Sequence, residues 1–177
     1  KNIKVVANQG IPYLTGVSLR DINEMTSTGE YIQGVQVITA SQIRAMGARD
    51  IDQVLESVPG LHISRSPLYN SLYIFRGINA DFNPQVLMLI NGIPITNLFQ
   101  GDRNLVWTGM QVEEISRIEV IRGPGSALYG ADAFAGVINI VTKTPKEVQH
   151  NSAGARIGNF NTTDIWFTGA GKQGDLD

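Results

Sequence analysis

The chain has 177 residues, 42% hydrophobic and 17% charged, apolar enough to bury a core and too apolar for wholesale disorder. Its formal net charge of -2 excludes the basic excess of a nucleic-acid footprint. It contains no cysteine, which removes disulfides, thiolate metal sites and cysteine nucleophiles together but leaves the compartment open.

No stretch reaches the roughly 18 uninterrupted apolar residues of a membrane helix. The chain opens at Lys1 without a signal-peptide pattern, so any such leader is expected to be already absent from it. Nineteen glycines call for many turns and close backbone approaches.

Residues 1–33 are polar, broken by short apolar pieces such as Ile3-Lys4-Val5-Val6-Ala7. They read as an extended arm, with an edge strand over Lys4 to Ala7 as the competing reading. Val35 to Ile38 alternates as a strand does. Thr39 stands three residues before Gln42, a capping box that opens a short helix. Ile43 and Met46 are expected to face its core, and Gly47 to stop it. Asp50 repeats the device with Gln53. Ile51, Val54, Leu55 and Val58 then follow at i, i+3, i+4 and i+7, one helical stripe, ended by Pro59-Gly60.

Leu61-His62-Ile63 and Leu72 to Phe75 read as short strands. Val86 to Ile90 is apolar on both faces, which places it inside a sheet covered on both sides. Asn91-Gly92 is a strong hairpin signal, with Ile93-Pro94-Ile95 as the return edge. Thr96 to Gly109 is a long loop, and loops of that length are often functional. Val112 to Ser116 suggests a helical turn and Ile118 to Ile121 a strand. Gly123-Pro124-Gly125 breaks it, Ser126 to Tyr129 makes a helical turn, and Val137 to Val141 a last strand. After Pro145 the character shifts: Ala153 to Ile157 and Thr163 to Ala170 are strand-like and join near Asn159 to Asn161. Two such strands bury little by themselves. The fold class is α+β.

Catalytic chemistry is thin. Arg122 to Leu128 sits where a dinucleotide loop would, but Leu128 replaces its third glycine and Pro124 removes an amide. Gly125 and Gly130 have phosphate-loop spacing, yet Ala131-Asp132 stands where Lys-Ser/Thr is needed. There is no G-x-S-x-G elbow. His62 and His150 are far apart and neither has an i+4 partner, so His62 reads as a packed or hydrogen-bonded residue. The carboxylates Glu113-Glu114 and Asp50/Asp52 sit at helix starts, where the helix dipole accounts for them. No catalytic residue, metal site or cofactor is expected, and the chain is not expected to be an enzyme.

Several segments, in order, resemble the plug of TonB-dependent receptors. Val37-Ile38-Thr39 with Ile43 and Gly47 resembles the plug's opening strand and helix. Asp52 to Leu61 resembles its next helix, with the ending Val58-Pro59-Gly60. Ile74-Phe75-Arg76-Gly77 resembles the "I-R-G" strand with Phe75 inserted. Val86 to Pro94 resembles the "V-L-V-L-x-D-G-V-P" hairpin, with Asn91 where Asp is usual. The most specific run is Ile118-Glu119-Val120-Ile121-Arg122-Gly123-Pro124, then Ala127-Leu128-Tyr129-Gly130, then Gly136 to Lys143.

The resemblance implies three regions: an N-terminal arm over 1–33, a plug with a small mixed sheet and short helices over 34–145, and the first strands of a transmembrane β-barrel over 146–177. It implies a gate in the bacterial outer membrane, inside the barrel lumen, with its N-terminus periplasmic. The implied activity is import of a scarce small molecule, a ferric siderophore by base rate, with haem, cobalamin and other ligands open. The implied partners are TonB with its inner-membrane energising proteins and the chain's own barrel.

Ile3, Lys4, Val5, Val6 and Ala7 are the expected TonB contact, by strand addition, with Val17 to Met25 competing. Ligand is expected at three loops, 65–70, 79–85 and 97–104. They offer Tyr69, Phe82 and Phe99 as aromatic faces, with Arg65, Gln100 and Arg103, and Asp81, Asn83 and Asn97, as polar contacts. Arg76 and Arg122, near strand ends in packed surroundings, need anionic partners, which the resemblance places on the barrel wall. A surface binding module without transport and a small α+β enzyme are the competing classes.

Overall fold

The computed structural model describes residues 7–8, 11–12, 35–67, 70–95, 110–148, 151–159 and 162–169. Of the arm this leaves two short strands, β1 (Ala7–Asn8) and β2 (Ile11–Pro12), paired antiparallel. Ile3 to Val6, Val17 to Met25 and the loop 96–109 lie outside the described residues.

Strand β3 (Val35–Thr39) runs directly into helix α1 (Ala40–Met46). Thr39 makes the junction. Its Oγ1 accepts from the Gln42 N–H, and its own N–H donates to Gln42 Oε1 at 2.8 Å, so the capping box closes in both directions. Gly47 ends the helix at φ +67, a left-handed position that suits glycine. Ile43 is buried, whereas Met46 is 44% exposed, a departure from the expected pair. Met46 belongs to the last turn, at the rim beside β3, and β3 is the outer strand of its sheet.

Helix α2 (Ile51–Glu56) starts at Asp50, whose carboxylate accepts the Gln53 N–H at 2.9 Å. Its box is open on one side, because Gln53 Oε1 takes the Arg49 N–H instead. Ile51, Val54, Leu55 and Val58 are all at most 2% exposed, as the stripe required.

Strands β4 (Leu61–Arg65) and β5 (Ser71–Phe75) form an antiparallel pair in register Leu61↔Phe75. β6 (Val86–Ile90) and β7 (Ile93–Pro94) follow, joined by Asn91 at φ +51 and Gly92 at φ +79, a primed two-residue turn. A 3-10 turn (Val112–Glu114) leads into β8 (Ile115–Arg122). Helix α3 (Ser126–Tyr129) and a second 3-10 turn (Ala131–Ala133) precede β9 (Gly136–Thr142). β10 (Ser152–Ile157) and β11 (Thr163–Thr168) close the described chain as an antiparallel hairpin.

The main sheet has the order β3-β8-β9-β6-β7 and is mixed, with β6 parallel to β9 and every other pair antiparallel. Alternation along its strands splits the apolar residues between two faces. Ile38, Val86, Met88, Ile118, Val120, Ile138 and Ile140 point to the larger core, under α1, α2 and the β4–β5 pair. Leu87, Leu89 and Val137 point the other way and pack with Ala133. β6 is therefore covered on both faces, as its unbroken apolar run demanded.

The β10–β11 hairpin has two unlike faces. Arg156 reaches back to Glu113 at 3.1 Å and lies over the Trp166 ring, 5.2 Å from its centroid. Ile157, Ile165 and Phe167, on the opposite face, are 84%, 76% and 70% exposed. Glu113 thus does more than answer a helix dipole.

Candidate functional site

Two clusters collect the residues singled out from the sequence. The first gathers on β5, to which the end of β4 and the loop before β6 both bond. Arg65 ends β4. Its Nη2 lies 2.9 Å from Asp52 Oδ2, and its Nη1 donates to Ser71 Oγ at 2.8 Å. The side chain is still 54% exposed, so one end of the guanidinium is fixed while the group faces solvent.

Asp52 is the hub. Its Oδ2 also accepts from the Ser71 hydroxyl, and its Oδ1 accepts from the Tyr73 hydroxyl at 2.9 Å. Asp52 lies on α2 and the three donors lie on β4 and β5. Burial first, and then the Asp52 charge, push the Tyr73 phenol far above its ordinary value, so it remains a donor at any working pH. The helix dipole alone is thus an incomplete account of Asp52. The signal that could have found it was the alternation in β5, which puts Ser71 and Tyr73 on one face.

Asn83 ties the loop before β6 to β5. Its Oδ1 accepts the Tyr73 N–H at 2.9 Å and its Nδ2 donates to the Ser71 carbonyl at 2.9 Å. It is fully buried. This corrects its expected place among the ligand contacts: the amide faces the core and holds β5. Phe82 and Asn83 both have left-handed backbones, at φ +66 and +53. That conformation is unusual for a bulky residue and needs surrounding contacts to hold it, which the two Asn83 bonds supply. Phe82 is left 43% exposed, beside an exposed Asp81. Tyr69, Asn97, Phe99, Gln100 and Arg103 lie outside the described residues.

The second cluster is at the Pro59-Gly60 turn. Arg76, at φ +49, donates its backbone N–H to the Gly60 carbonyl at 2.8 Å. Arg122 donates Nη1 to the Pro59 carbonyl at 3.1 Å. The two arginines, 46 positions apart, therefore meet one turn. Arg76 is exposed rather than packed, and Arg122 is half-buried, with a buried Nε that has no partner among the described residues. Neither has a carboxylate partner there.

His62 is exposed and pairs with Glu56 at 2.9 Å, a hydrogen-bonded histidine. His150 lies outside the described residues. Among the described residues, no group of three or more His, Asp or Glu is placed to hold a metal ion, and no helix is long and apolar enough to cross a membrane.

Comparison with known proteins gives these clusters a context. The family described as the TonB-dependent receptor plug domain matches residues 27–137. A vitamin B12 transporter, BtuB, of Vibrio vulnificus is 35% identical over 79% of this chain and 24% of its own. The ferrienterobactin receptor of Escherichia coli is 33% identical over 95% of this chain and 24% of its own. The chain thus spans about a quarter of the length of these curated relatives. Among solved structures, the siderophore receptor PirA of Acinetobacter baumannii superposes with a TM-score of 0.51 at 30% identity, covering 63% of this chain and 17% of that one. A mutant of the ferric enterobactin receptor PfeA from Pseudomonas aeruginosa gives 0.52 at 28%, covering 67% and 18%.

Proposed function

This chain belongs to the TonB-dependent receptor plug domain family, and on that premise we propose that it is the gate of an outer-membrane receptor importing a ferric siderophore with energy passed on by TonB. One observation carries the ligand reading: Ser71 accepts from the Arg65 side chain at its hydroxyl and from the Asn83 amide at its carbonyl, so Arg65 and the Asp81-Phe82 loop are both tied to one residue of β5. A fixed guanidinium and an exposed aromatic ring suit a bulky ligand that presents anionic oxygens. Siderophore receptors among the relatives support the same class.

The Pro59-Gly60 cluster is the plug's anchor. Arg122 carries an unneutralised charge half out of water, and a carboxylate from the barrel wall would satisfy it. Residues 146–177 supply the first barrel strands. Their bare face of Ile157, Ile165 and Phe167 suits lipid, and the face carrying Arg156 and Trp166 turns to the plug, an in-out alternation appropriate to a membrane barrel. That bare face favours transport over a freestanding binding module. TonB takes the segment Ile3 to Ala7 by strand addition.

Vitamin B12 is the second reading, favoured by the 35% identity to the Vibrio vulnificus transporter. The deciding experiment expresses the full-length receptor in cells lacking their own siderophore and vitamin B12 receptors, and measures uptake of both compounds with and without TonB. Uptake of ferric enterobactin that needs TonB, and falls with Arg65→Ala and Phe82→Ala, is expected. Uptake of vitamin B12 alone would replace the ligand; uptake without TonB would remove the gate. Cysteines at Val5 and Leu19, crosslinked to TonB, locate the grip. Contact only at Leu19 moves it to Val17–Met25.

A further inference from the structure

We infer that Asn83 holds Phe82 in a strained backbone so that its ring is a ready stacking face, and that the ligand it fits is an aromatic chelate, a ferric catecholate. The inference rests on reading the loop before β6 as a ligand contact. It adds the chemical class of the ligand and a positioning residue.

The cause lies in β5. In its sheet β5 pairs only with β4, so its other edge presents backbone groups that no strand satisfies, and buried backbone groups need partners. Two side-chain amides supply them. Asn83 Oδ1 accepts the Tyr73 N–H and Asn83 Nδ2 donates to the Ser71 carbonyl, both at 2.9 Å. Gln85 Nε2 donates to the Tyr73 carbonyl at 3.3 Å. Asn83 is held through its backbone as well: its N–H donates to the Ala80 carbonyl, and its carbonyl accepts the Val86 N–H. Ser71, Tyr73, Asn83 and Gln85 are all at most 8% exposed.

The turn that brings Asn83 to this edge leaves it at φ +53 and Phe82 at φ +66. Asparagine tolerates the left-handed region. Phenylalanine adopts it at a cost, because its Cβ crowds the neighbouring carbonyl. Glycine would make the same turn freely. Packing offsets only part of that cost, since Phe82 is 43% exposed. The fold alone thus gives no reason for a phenylalanine here, and residues held in strain by over-determined surroundings gather at ligand sites.

The strain provides a ring on a fixed base. With the backbone held one residue away, only two side-chain torsions remain to be ordered when a flat partner stacks, so little freedom is lost on binding. Aromatic rings attract each other beyond what apolar area contributes. A catecholate chelate presents such rings around its ferric ion, and an aliphatic hydroxamate chelate presents none.

The test measures equilibrium affinity of the full-length receptor for ferric enterobactin, a catecholate chelate. Phe82→Tyr, which keeps the ring, should bind as wild type does. Phe82→Leu, apolar without being aromatic, should bind about tenfold more weakly. Asn83→Gly accepts the turn but drops both amide bonds. It should weaken binding by a similar factor, and should add little in the Phe82→Leu background, because it acts through the ring. A residue needed merely for stability would weaken both backgrounds alike. In the 177-residue chain, Phe82→Gly should leave the urea midpoint at or above wild type. Wild-type affinity in Phe82→Leu, equal losses from Asn83→Gly with and without the ring, or a lowered midpoint in Phe82→Gly would each overturn the inference alone. A wild-type receptor that takes up vitamin B12 and binds no ferric enterobactin would remove the siderophore reading, and the catecholate with it.

Discussion

Arg122 and Pro59 are 63 positions apart and meet in one hydrogen bond, Nη1 to carbonyl oxygen, at 3.1 Å. A carbonyl is a dipole and leaves the guanidinium charge unneutralised, with its Nε buried and unpartnered among the described residues. The bond therefore contributes little net stability within this chain. Arg122→Met should change the unfolding free energy of the 177-residue chain by less than about 1 kcal/mol, read from urea denaturation. If, as proposed, a barrel carboxylate completes the pair in the full receptor, the same change should cost about 3 kcal/mol there, read as a lowered thermal midpoint. An equally small loss in both would remove the barrel carboxylate from the account.

Gly136 begins β9 opposite Arg122 and tolerates no side chain. A Cβ there would lie 2.8 Å from the Ile121 carbonyl oxygen and 2.9 Å from Phe75 Cζ. The first is backbone in the sheet ladder and the second is a fully buried ring, so neither yields cheaply. Gly136→Ala should destabilise the chain by about 1–3 kcal/mol, the usual cost of overpacking. A urea midpoint at or above wild type would contradict this.

Much of the fold was legible because its signals are local. The Thr39-Gln42 box, the stripe from Ile51 to Val58 and the Asn91-Gly92 turn are each set by residues within a few positions of one another. What stayed hidden depends on distant partners. Asp52 looked like a helix-dipole carboxylate because its donors Ser71 and Tyr73 stand 19 and 21 positions away. Asn83 looked like a ligand contact because polarity does not reveal that both amide ends bond β5. The family motifs named Arg76 and Arg122, but their shared turn emerges only when β4–β5 folds back on the main sheet.

Glu119 is the clearest buried charge that alternation alone did not flag. It is 5% exposed, on the smaller face of the sheet. Its Oε1 accepts from Arg117 Nε at 2.7 Å and its Oε2 from Asn139 Nδ2 at 2.8 Å. Asn139 Oδ1 in turn accepts the Gly92 N–H at 3.0 Å, so the network pins the β6–β7 turn to β9. Glu119→Ala strands the partly buried Arg117 and should cost about 3 kcal/mol. Asn139→Ala should cost less, about 1–2 kcal/mol. Because the two bond each other, the double variant should lose less than the sum. Additive losses in urea denaturation would show that the three groups act independently.

Glu56 gives the chain a defined acid response. The His62 ring first, and the Ile63 N–H at 2.6 Å next, hold its carboxyl below the ordinary value of 4.5. A carboxyl that is more acidic folded than unfolded stabilises the fold while ionised. Its contribution is complete above the unfolded value and drains away as pH falls through the lowered one, because the unfolded chain then binds the proton more readily. Wild-type stability should therefore exceed that of Glu56→Gln above pH 4.5, and the gap should close on acidification. The group is exposed, so the gap is small and salt-sensitive. Urea titrations of both proteins from about pH 6 to pH 3 at low ionic strength measure it directly. A gap that widened toward low pH would mean that Glu56 is more basic in the fold than in the unfolded chain, the opposite of what its two donors require.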